Sequence, residues 1–356
     1  MDAVVGPHPD WPQIQRAVER VSTARGTGRL SRLVYKLRPA TLSLPPAIYI
    51  LAFHSVIDPK NLQPWEKAYD KVSVTAKNLE NQLDFLSGHT TPLSLSEAMA
   101  LVDEEIDRPY LVLTFDDGYM NTLTNAAPII RQFGLRPTLF VNGAFAEGSV
   151  YYRALVAILT RNGHAAVLAE ELSRRIKSVP WSNDATTLFN QTKDQCTAPG
   201  MIEEATDIVF RRVFGDPAAL RVHLQRDDVV ELVSLGWEVG NHTYRHDVLS
   251  LLSREQVSES IEANEAYWEA LDIRLLPCVA FPNGAAKHVG DGIKSYLDEN
   301  PGFHGMFCNG GVNLTPKRTE WLRIPVSNMS TSDFATRLAT ELRISREAMK
   351  LTSGCS

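Results

Sequence analysis

The sequence predicts an α/β fold: a (β/α) barrel that carries a mostly helical insertion and an N-terminal helical extension. Three observations lead there. Seven short apolar runs recur from residue 47 onward, each followed at once by small or polar residues. Segments of helical periodicity fill most of the gaps, and strands alternating with helices build parallel sheets or barrels. One gap, between Val141 and Trp237, is far longer than a single crossover needs.

Residues 1–46 make the extension. Within 10–38, Ile14, Ala17, Val18 and Val21, then Leu30, Leu33, Val34 and Leu37, recur at helical spacing around Gly26 and Gly28. Seven basic residues (Arg16, Arg20, Arg25, Arg29, Arg32, Lys36, Arg38) face only Asp10 and Glu19. Either these charges are solvated, or the arm meets an anionic membrane surface or a phosphate-bearing substrate.

The strands are expected at 47–53, 110–115, 138–141, 237–240, 278–281, 305–308 and 321–326. Several are nearly continuous apolar stretches, as expected of strands covered on both faces. Helices fit 76–87 (Leu79, Leu83, Leu86), 121–133 (Ala127, Ile130, Phe133) and 254–271 (Val257, Ile261, Tyr267, Leu271). Ser253 followed by Gln256 makes a capping box for the last of these. Residues 148–224 are the insertion, helical by pattern at 151–177 and again from 201, with a polar, turn-rich interval at 180–200. The pattern from 201 runs to 234, and its last part, a helix at 226–235, belongs to the barrel, which comprises 47–147 and 225–345.

Composition narrows the function. The formal net charge is −6, so no global basic field favours nucleic acid. Four scattered cysteines, Cys196, Cys278, Cys308 and Cys355, form no CxxC pair, which suits a reducing compartment. No apolar run approaches the ~18 residues of a transmembrane helix. The start of the chain lacks a basic segment followed by a long apolar one. A cytoplasmic location is therefore expected.

Chemistry concentrates at strand exits, where barrels place their active sites. In Thr114-Phe115-Asp116-Asp117-Gly118, two adjacent carboxylates repel unless a cation neutralises them; the alternative is that both cap a turn or helix. Asn241-His242-Thr243-Tyr244-Arg245-His246 sets two histidines four apart, on one face of a helical turn, where they can grip one metal. Alone, such a pair is more often two surface or core histidines, but this one also follows a strand. Asp117, His242 and His246 together offer one oxygen and two nitrogens, leaving positions open for water and substrate as catalytic metal sites do. A bound divalent metal brings the pKa of its water to around 7, and Asp116 is free to take that proton as general base.

These two motifs resemble the first two of the polysaccharide deacetylase family, the NodB-homology carbohydrate esterases, over roughly residues 47–147 and 225–330. The resemblance implies a distorted (β/α)7 barrel and metal-dependent hydrolysis of an N-acyl group on an amino sugar. It casts Asp116 as the base and Asp117, His242 and His246 as ligands of one divalent ion, zinc first, with cobalt, nickel, iron or manganese as alternatives. The family's third motif carries an arginine; here the matching stretch, Val279-Ala280-Phe281-Pro282-Asn283-Gly284, has none. The backbone N–H of Asn283 can still serve the oxyanion. Arg323 is the candidate to orient Asp116, unless it is an ordinary structural arginine. The family's late Leu-x-His motif is missing too. His54, at the exit of the first strand, is the substitute acid or substrate ligand, unless it is a structural histidine under the rim; His304 is a weaker alternative.

The expected reaction is removal of acetyl or formyl from an amino sugar, free, nucleotide-linked or lipid-linked. The insertion would act as a lid, with Tyr151, Tyr152 and Trp181 available to a sugar face, at least one of them packing inside the insertion instead. Two other classes fit less well. A non-haem iron oxygenase also uses two histidines and one carboxylate, although it has no use for the neighbouring Asp116. A catalytically inactive sugar-binding member would not need the intact motifs.

Overall fold

The computed structural model describes residues 44–69, 72–194 and 199–353. The basic arm at 10–38, and Cys196 and Cys355, lie outside these. β1 (Ala47–Phe53) is buried at every position, and its alternate residues serve two different cores. Ile48 and Ile50 point into the barrel with Val112, Phe140, Cys278, Ala280, Met306 and Trp321. Ala47, Tyr49, Leu51 and Phe53 pack outward beneath the helices. This explains the continuous apolar runs: period-2 alternation vanishes when both faces are covered.

The other strands follow in chain order. They are β2 (Ser55–Ile57), β3 (Ser73–Thr75), β4 (Thr91–Pro92), β5 (Pro109–Phe115), β6 (Thr138–Val141), β7 (Glu238–Asn241) and β8 (Leu276–Ala280). β9 (His304–Phe307), β10 (Trp321–Leu322) and β11 (Ile324–Pro325) complete the set. β2 and β3 pair apart from the rest. The main sheet runs β10-β9-β8-β7-β6-β5-β1-β11, parallel throughout. Its two edges are consecutive pieces of one segment, interrupted only at Arg323. The Arg323 backbone N–H donates to Phe307 O (3.1 Å) and its carbonyl accepts from Gly310 N (3.1 Å). Val326 N donates to Ala52 O (2.9 Å) on the opposite edge. The ring therefore closes through residue 323, and counting β10–β11 as one stave gives the seven-stave barrel. Its distortion is local. β6 pairs with β5 only at Thr114 and Phe115, while β4 takes the earlier pairs at Tyr110 and Leu111.

Helices cover the outside where the sequence pattern places them. In Arg254–Glu269, Ser253 Oγ accepts from Gln256 N, and Ser253 N donates to Gln256 Oε1 (2.9 Å). Four differences from the sequence expectation concern helices. The 121–133 helix opens as a π-helical turn at Thr122–Ala126 before the α-helix Ala127–Gln132. Residues 151–177 divide into Tyr152–Arg161 and Ala165–Arg175, separated by Gly163 at φ +83°. The polar interval at 180–200 contains a helix, Ala185–Asp194, whose Leu188 and Phe189 are buried. The pattern from 201 to 234 is interrupted, because Arg221 takes a left-handed conformation (φ +48°) and 221–225 is extended or irregular.

The helices between Tyr152 and Phe214 share their own apolar cluster, built from Leu155, Leu159, Leu172, Leu188, Val209 and Phe210 among others. Trp65, Tyr69 and Tyr119 of the barrel join that cluster, so it rests on the strand-exit side. The returning chain pairs there directly: Leu224 N donates to Gly118 O (2.7 Å) and Met120 N to Val222 O (2.9 Å). No helix among the described residues is long and apolar enough to cross a membrane.

Candidate metal centre and active site

A cleft of about 290 Å³ opens where the strands end. Much of its lining lies within a few residues of a strand exit: His54 after β1, Asp116 and Asp117 after β5, His242 and His246 after β7, Phe281 and Asn283 after β8, and Cys308 after β9. The insertion supplies another wall, with Tyr151, Arg153, Phe189, Asn190 and Lys193.

At its floor, Asp117 Oδ1 lies 3.2 Å from His242 Nε2 and 3.3 Å from His246 Nε2. All three groups are buried or nearly so, and their ligand atoms lie within 4.8 Å of one another. The histidines do not sit on a helical turn as the spacing predicts. Residues 242–246 are an irregular loop in which Thr243 (φ +63°) and His246 (φ +60°) are left-handed. Two such residues reverse the chain tightly enough to aim both imidazoles inward without helix.

The donor set fits a cation. The His242 Nδ1–H donates to Ala280 O (2.8 Å), which leaves the Nε2 lone pair facing Asp117. Asp117 Oδ1 is buried and makes no hydrogen bond. One anionic oxygen and two imidazole nitrogens thus converge, and a divalent ion resolves what would otherwise be a buried, unsatisfied charge. Burial alone would raise the Asp117 carboxyl pKa; positive charge between the three groups, whether protons on the two imidazoles or an ion in their place, outweighs it and holds it well below the usual carboxylate value. Asp117 itself is left-handed (φ +67°), an uncommon state for a non-glycine residue and a concentration of strain typical of functional sites.

Asp116 is paired differently. Arg323 Nη1 donates to its Oδ1 (2.7 Å) and Nη2 to its Oδ2 (3.0 Å), a two-pronged contact between fully buried groups. Arg323 also donates to Thr114 Oγ1 (3.2 Å) and Phe307 O (3.3 Å) and lies over the Phe140 ring at 5.1 Å. Burial pushes the Asp116 pKa up, but Arg323, then His242 and His54, bring it below the ordinary value. His54 Nε2 is 3.9 Å from Asp116 Oδ2 and 22% exposed, so it touches both the carboxylate and solvent. Asn283 lines the cleft in a left-handed conformation (φ +60°). Gly284 after it has no alternative, since a Cβ there would stand 2.6 Å from the Cys308 backbone nitrogen. His304 begins β9, away from the cleft, where its Nδ1 accepts from Trp321 Nε1 (3.0 Å). Of the three insertion aromatics, Tyr151 faces the cleft, its ring 4.5 Å from that of His246. Trp181 is buried in the insertion's own cluster and Tyr152 packs against it; neither is among the cleft-lining residues.

Sequence reasoning missed the residues that hold this floor in place. Asn142 Nδ2 donates to His242 O (2.6 Å) and Thr243 O (2.8 Å). Asn264 Nδ2 bridges Val141 O and Asn241 Oδ1, and its Oδ1 accepts from Gly143 N. His223 joins the Asp117 carbonyl (2.9 Å, through Nδ1) to the Tyr151 N–H (3.2 Å, through Nε2), a pattern that fixes its proton on Nδ1. Burial lowers its pKa to about 4. Asn264 had a readable signal: it continues the buried stripe Val257, Ile261, Trp268, where a polar residue must have partners.

The family model for polysaccharide deacetylases matches residues 103–289, more than half of the chain. The chain belongs to the polysaccharide deacetylase family. Membership supports carbohydrate N-deacetylation, the hydrolysis of an amide bond, as its class of reaction. No curated protein sequence matches it. Among solved structures it is similar to the Streptococcus pyogenes deacetylase PplD in complex with acetate, at 17% identity and a TM-score of 0.53, over 83% of this chain and 99% of that one. IcaB from Ammonifex degensii aligns over 84% of this chain and 99% of its own, at 16% identity and TM-score 0.51. The de-N-acetylase from Aggregatibacter actinomycetemcomitans aligns over 81% and 99%, at 13% identity and TM-score 0.51. At such identities the likeness is one of fold.

Proposed function

We propose that this chain is a metal-dependent N-deacylase that removes an acetyl or formyl group from an amino sugar. The observation that carries this reading is the convergence of Asp117, His242 and His246 beside the arginine-paired Asp116 at the barrel mouth. Asp117, His242 and His246 would hold one divalent ion, for which zinc is the first choice. When bound, such an ion polarises the acyl carbonyl and acidifies a water to a pKa near 7.

The remaining roles belong to the chain. Asp116 takes the proton of the attacking water. Arg323 uses one acceptor direction on each of its oxygens, and a carboxylate oxygen has two, so a proton can still arrive. Arg323 keeps the group ionised and aimed. The resulting base is weak, which would suit a water that a bound ion had already made acidic. The backbone N–H of Asn283 receives the developing oxyanion. His54, near Asp116 and open to solvent, returns a proton to the departing amine. We assign the choice of substrate to the insertion, 148–224, which faces these groups across the cleft.

The test is direct. Protein stripped with a chelator and reloaded with zinc, cobalt, nickel, iron or manganese is incubated with N-acetylated and N-formylated amino sugars, and released acetate or formate is measured. Metal-restored release supports the reading. No release from any amino sugar with any metal, or activity that demands dioxygen, overturns it.

A further inference from the structure

We propose that the insertion wall binds a phosphoryl group carried by the amino-sugar substrate, with Arg153 as the principal contact. This deepens the N-deacylase reading and rests on it. Arg153 stands in the first turn of Tyr152–Arg161 and is 3% exposed, yet it lines the cleft. A buried guanidinium ordinarily sits against a carboxylate, because leaving water is costly for an unpaired charge. Among the described residues Arg153 has no ion-pair partner. A single nitrogen, Nη1, makes both of its hydrogen bonds, to Phe189 O and Thr192 Oγ1. The guanidinium lies 3.8 Å above the Phe189 ring, which holds its plane. Nε and Nη2 make no hydrogen bond there, and neither is a fully enclosed, partnerless atom, so two donor nitrogens of a fixed cation, with three N–H bonds between them, are left for a ligand in the cleft that Arg153 lines.

The surroundings extend this into a subsite. Asn190 and Lys193 come from the neighbouring helix Ala185–Asp194 and line the same wall. The carboxylates of the cleft, Asp116 and Asp117, are engaged by Arg323 and by the two histidines. One side of the cleft therefore handles the amide, and the other presents a planar cation to a ligand, with Asn190 and Lys193 beside it on the same wall. A guanidinium fork next to an ammonium matches the several oxygens of a phosphoryl group better than a single neutral hydroxyl. A volume of about 290 Å³, at the small end for ligand sites, suits one sugar with its charged substituent.

The experiment compares N-acetylglucosamine with its 1-phosphate on metal-loaded protein, by turnover and by calorimetric binding. Wild type should favour the phosphorylated sugar by about 10- to 100-fold in kcat/KM, the size of a hydrogen bond to a charged group. R153M should remove most of that preference. K193Q, at an exposed position and with its fold checked by circular dichroism, should weaken it several-fold and flatten its salt dependence. Any phosphate bound by the metal itself is common to wild type and variants, so the difference reads the wall. Equal use of both sugars by wild type, preference for a carboxylate-bearing sugar, or an unchanged preference in both folded variants overturns the proposal. Calorimetry separates the two readings. Arg153-dependent binding of the phosphorylated sugar without any hydrolysis supports the subsite and sinks the deacylase; hydrolysis without Arg153-dependent binding does the reverse. A sugar 1-phosphate, a nucleoside-diphosphate sugar and a prenyl-phosphate sugar in detergent then identify the source of the phosphoryl group, by whichever gives the highest kcat/KM.

Discussion

Replacing Arg323 by Gln tests the centre of the site and the closure of the barrel at once. The backbone hydrogen bonds of residue 323 to Phe307 and Gly310 do not involve the side chain, so the substitution keeps the backbone closure and removes the ion pair together with the weaker side-chain contacts to Thr114, Phe307 and Phe140. With charge centres about 4 Å apart and an effective dielectric near 20, the lost attraction is about 4 kcal/mol. This agrees with the roughly 3–5 kcal/mol typical when one partner of a buried pair is removed. Calorimetry should show a drop of that size, a fall in melting midpoint of about 4–7 °C for a chain this long. The sign of the pH dependence should invert as well. In wild type the depressed Asp116 pKa adds stability above the unfolded value of about 3.9, and that contribution is lost as pH falls through the still lower folded value. Without Arg323, burial acts unopposed and the carboxyl pKa rises above its unfolded value, so in R323Q this group gains stability on acidification. The acid limb of kcat/KM should move up by more than about one pH unit, with activity recovering at alkaline pH. In the double variant D116N/R323Q no charge is stranded, so its cost should fall short of the summed single costs by about 1–3 kcal/mol. Additive costs, or an acid limb that stays in place, would refute the reasoning.

Other expectations can be checked separately. Asp116→Asn should retain metal by elemental analysis while turnover falls about 10²- to 10⁴-fold, the range of general-base loss; near-normal turnover would remove Asp116 from that role. His246→Ala should lose both metal and activity, and a fully metallated variant would exclude it as a ligand. In Gly240→Ala the new Cβ would stand 2.5 Å from Phe140 Cε1, and Phe140 cannot retreat because Arg323 lies over its face. Denaturant titration should show about 1–3 kcal/mol of destabilisation. His304, whose pKa burial lowers to about 4, should make the protein lose of order 2 kcal/mol as pH falls from about 6.5 toward 4. His304→Asn should flatten melting temperature against pH across that window.

The parts of the fold legible in the sequence are those where burial leaves a compositional trace. β1 and β6 occupy the positions that their apolar runs predict, because strands covered on both faces cannot tolerate polar residues. Helix Arg254–Glu269 announces its start through a side-chain cap. The insertion was harder to read. Ala185–Asp194 is polar on average and buries only a narrow stripe, Leu188, Phe189 and Thr192, against neighbouring helices, so local chemistry resembles a loop until those neighbours are in place. The histidine loop misled for the opposite reason. Its i, i+4 spacing is genuine, but two left-handed residues and the Asn142 and Asn264 amides create the geometry that a helix would otherwise supply. Positioning residues such as His223 bond mainly to backbone, and a backbone partner leaves no mark in the sequence that needs it.

The placement of Arg323 shows why a missing motif residue need not mean a missing function. An arginine after β8 and one in the closing strand are remote in sequence, yet a closed barrel brings every stave to the same interior. What Asp116 requires is a guanidinium fork on its two oxygens, in a space that excludes water. The position between β10 and β11 meets that requirement, because residue 323 is the one link shared by both edges of the sheet and its side chain is fully buried. On the proposed role of Asp116, the same placement joins catalysis to folding. Arg323 can reach Asp116 only once the ring has closed, and the buried carboxylate is neutralised only once Arg323 arrives. A partly open barrel would therefore carry an unpaired buried charge, which opposes local opening at this seam. The phenotype of R323Q should for that reason include faster amide hydrogen exchange in β1, β9 and the closing strand, beyond any loss of turnover.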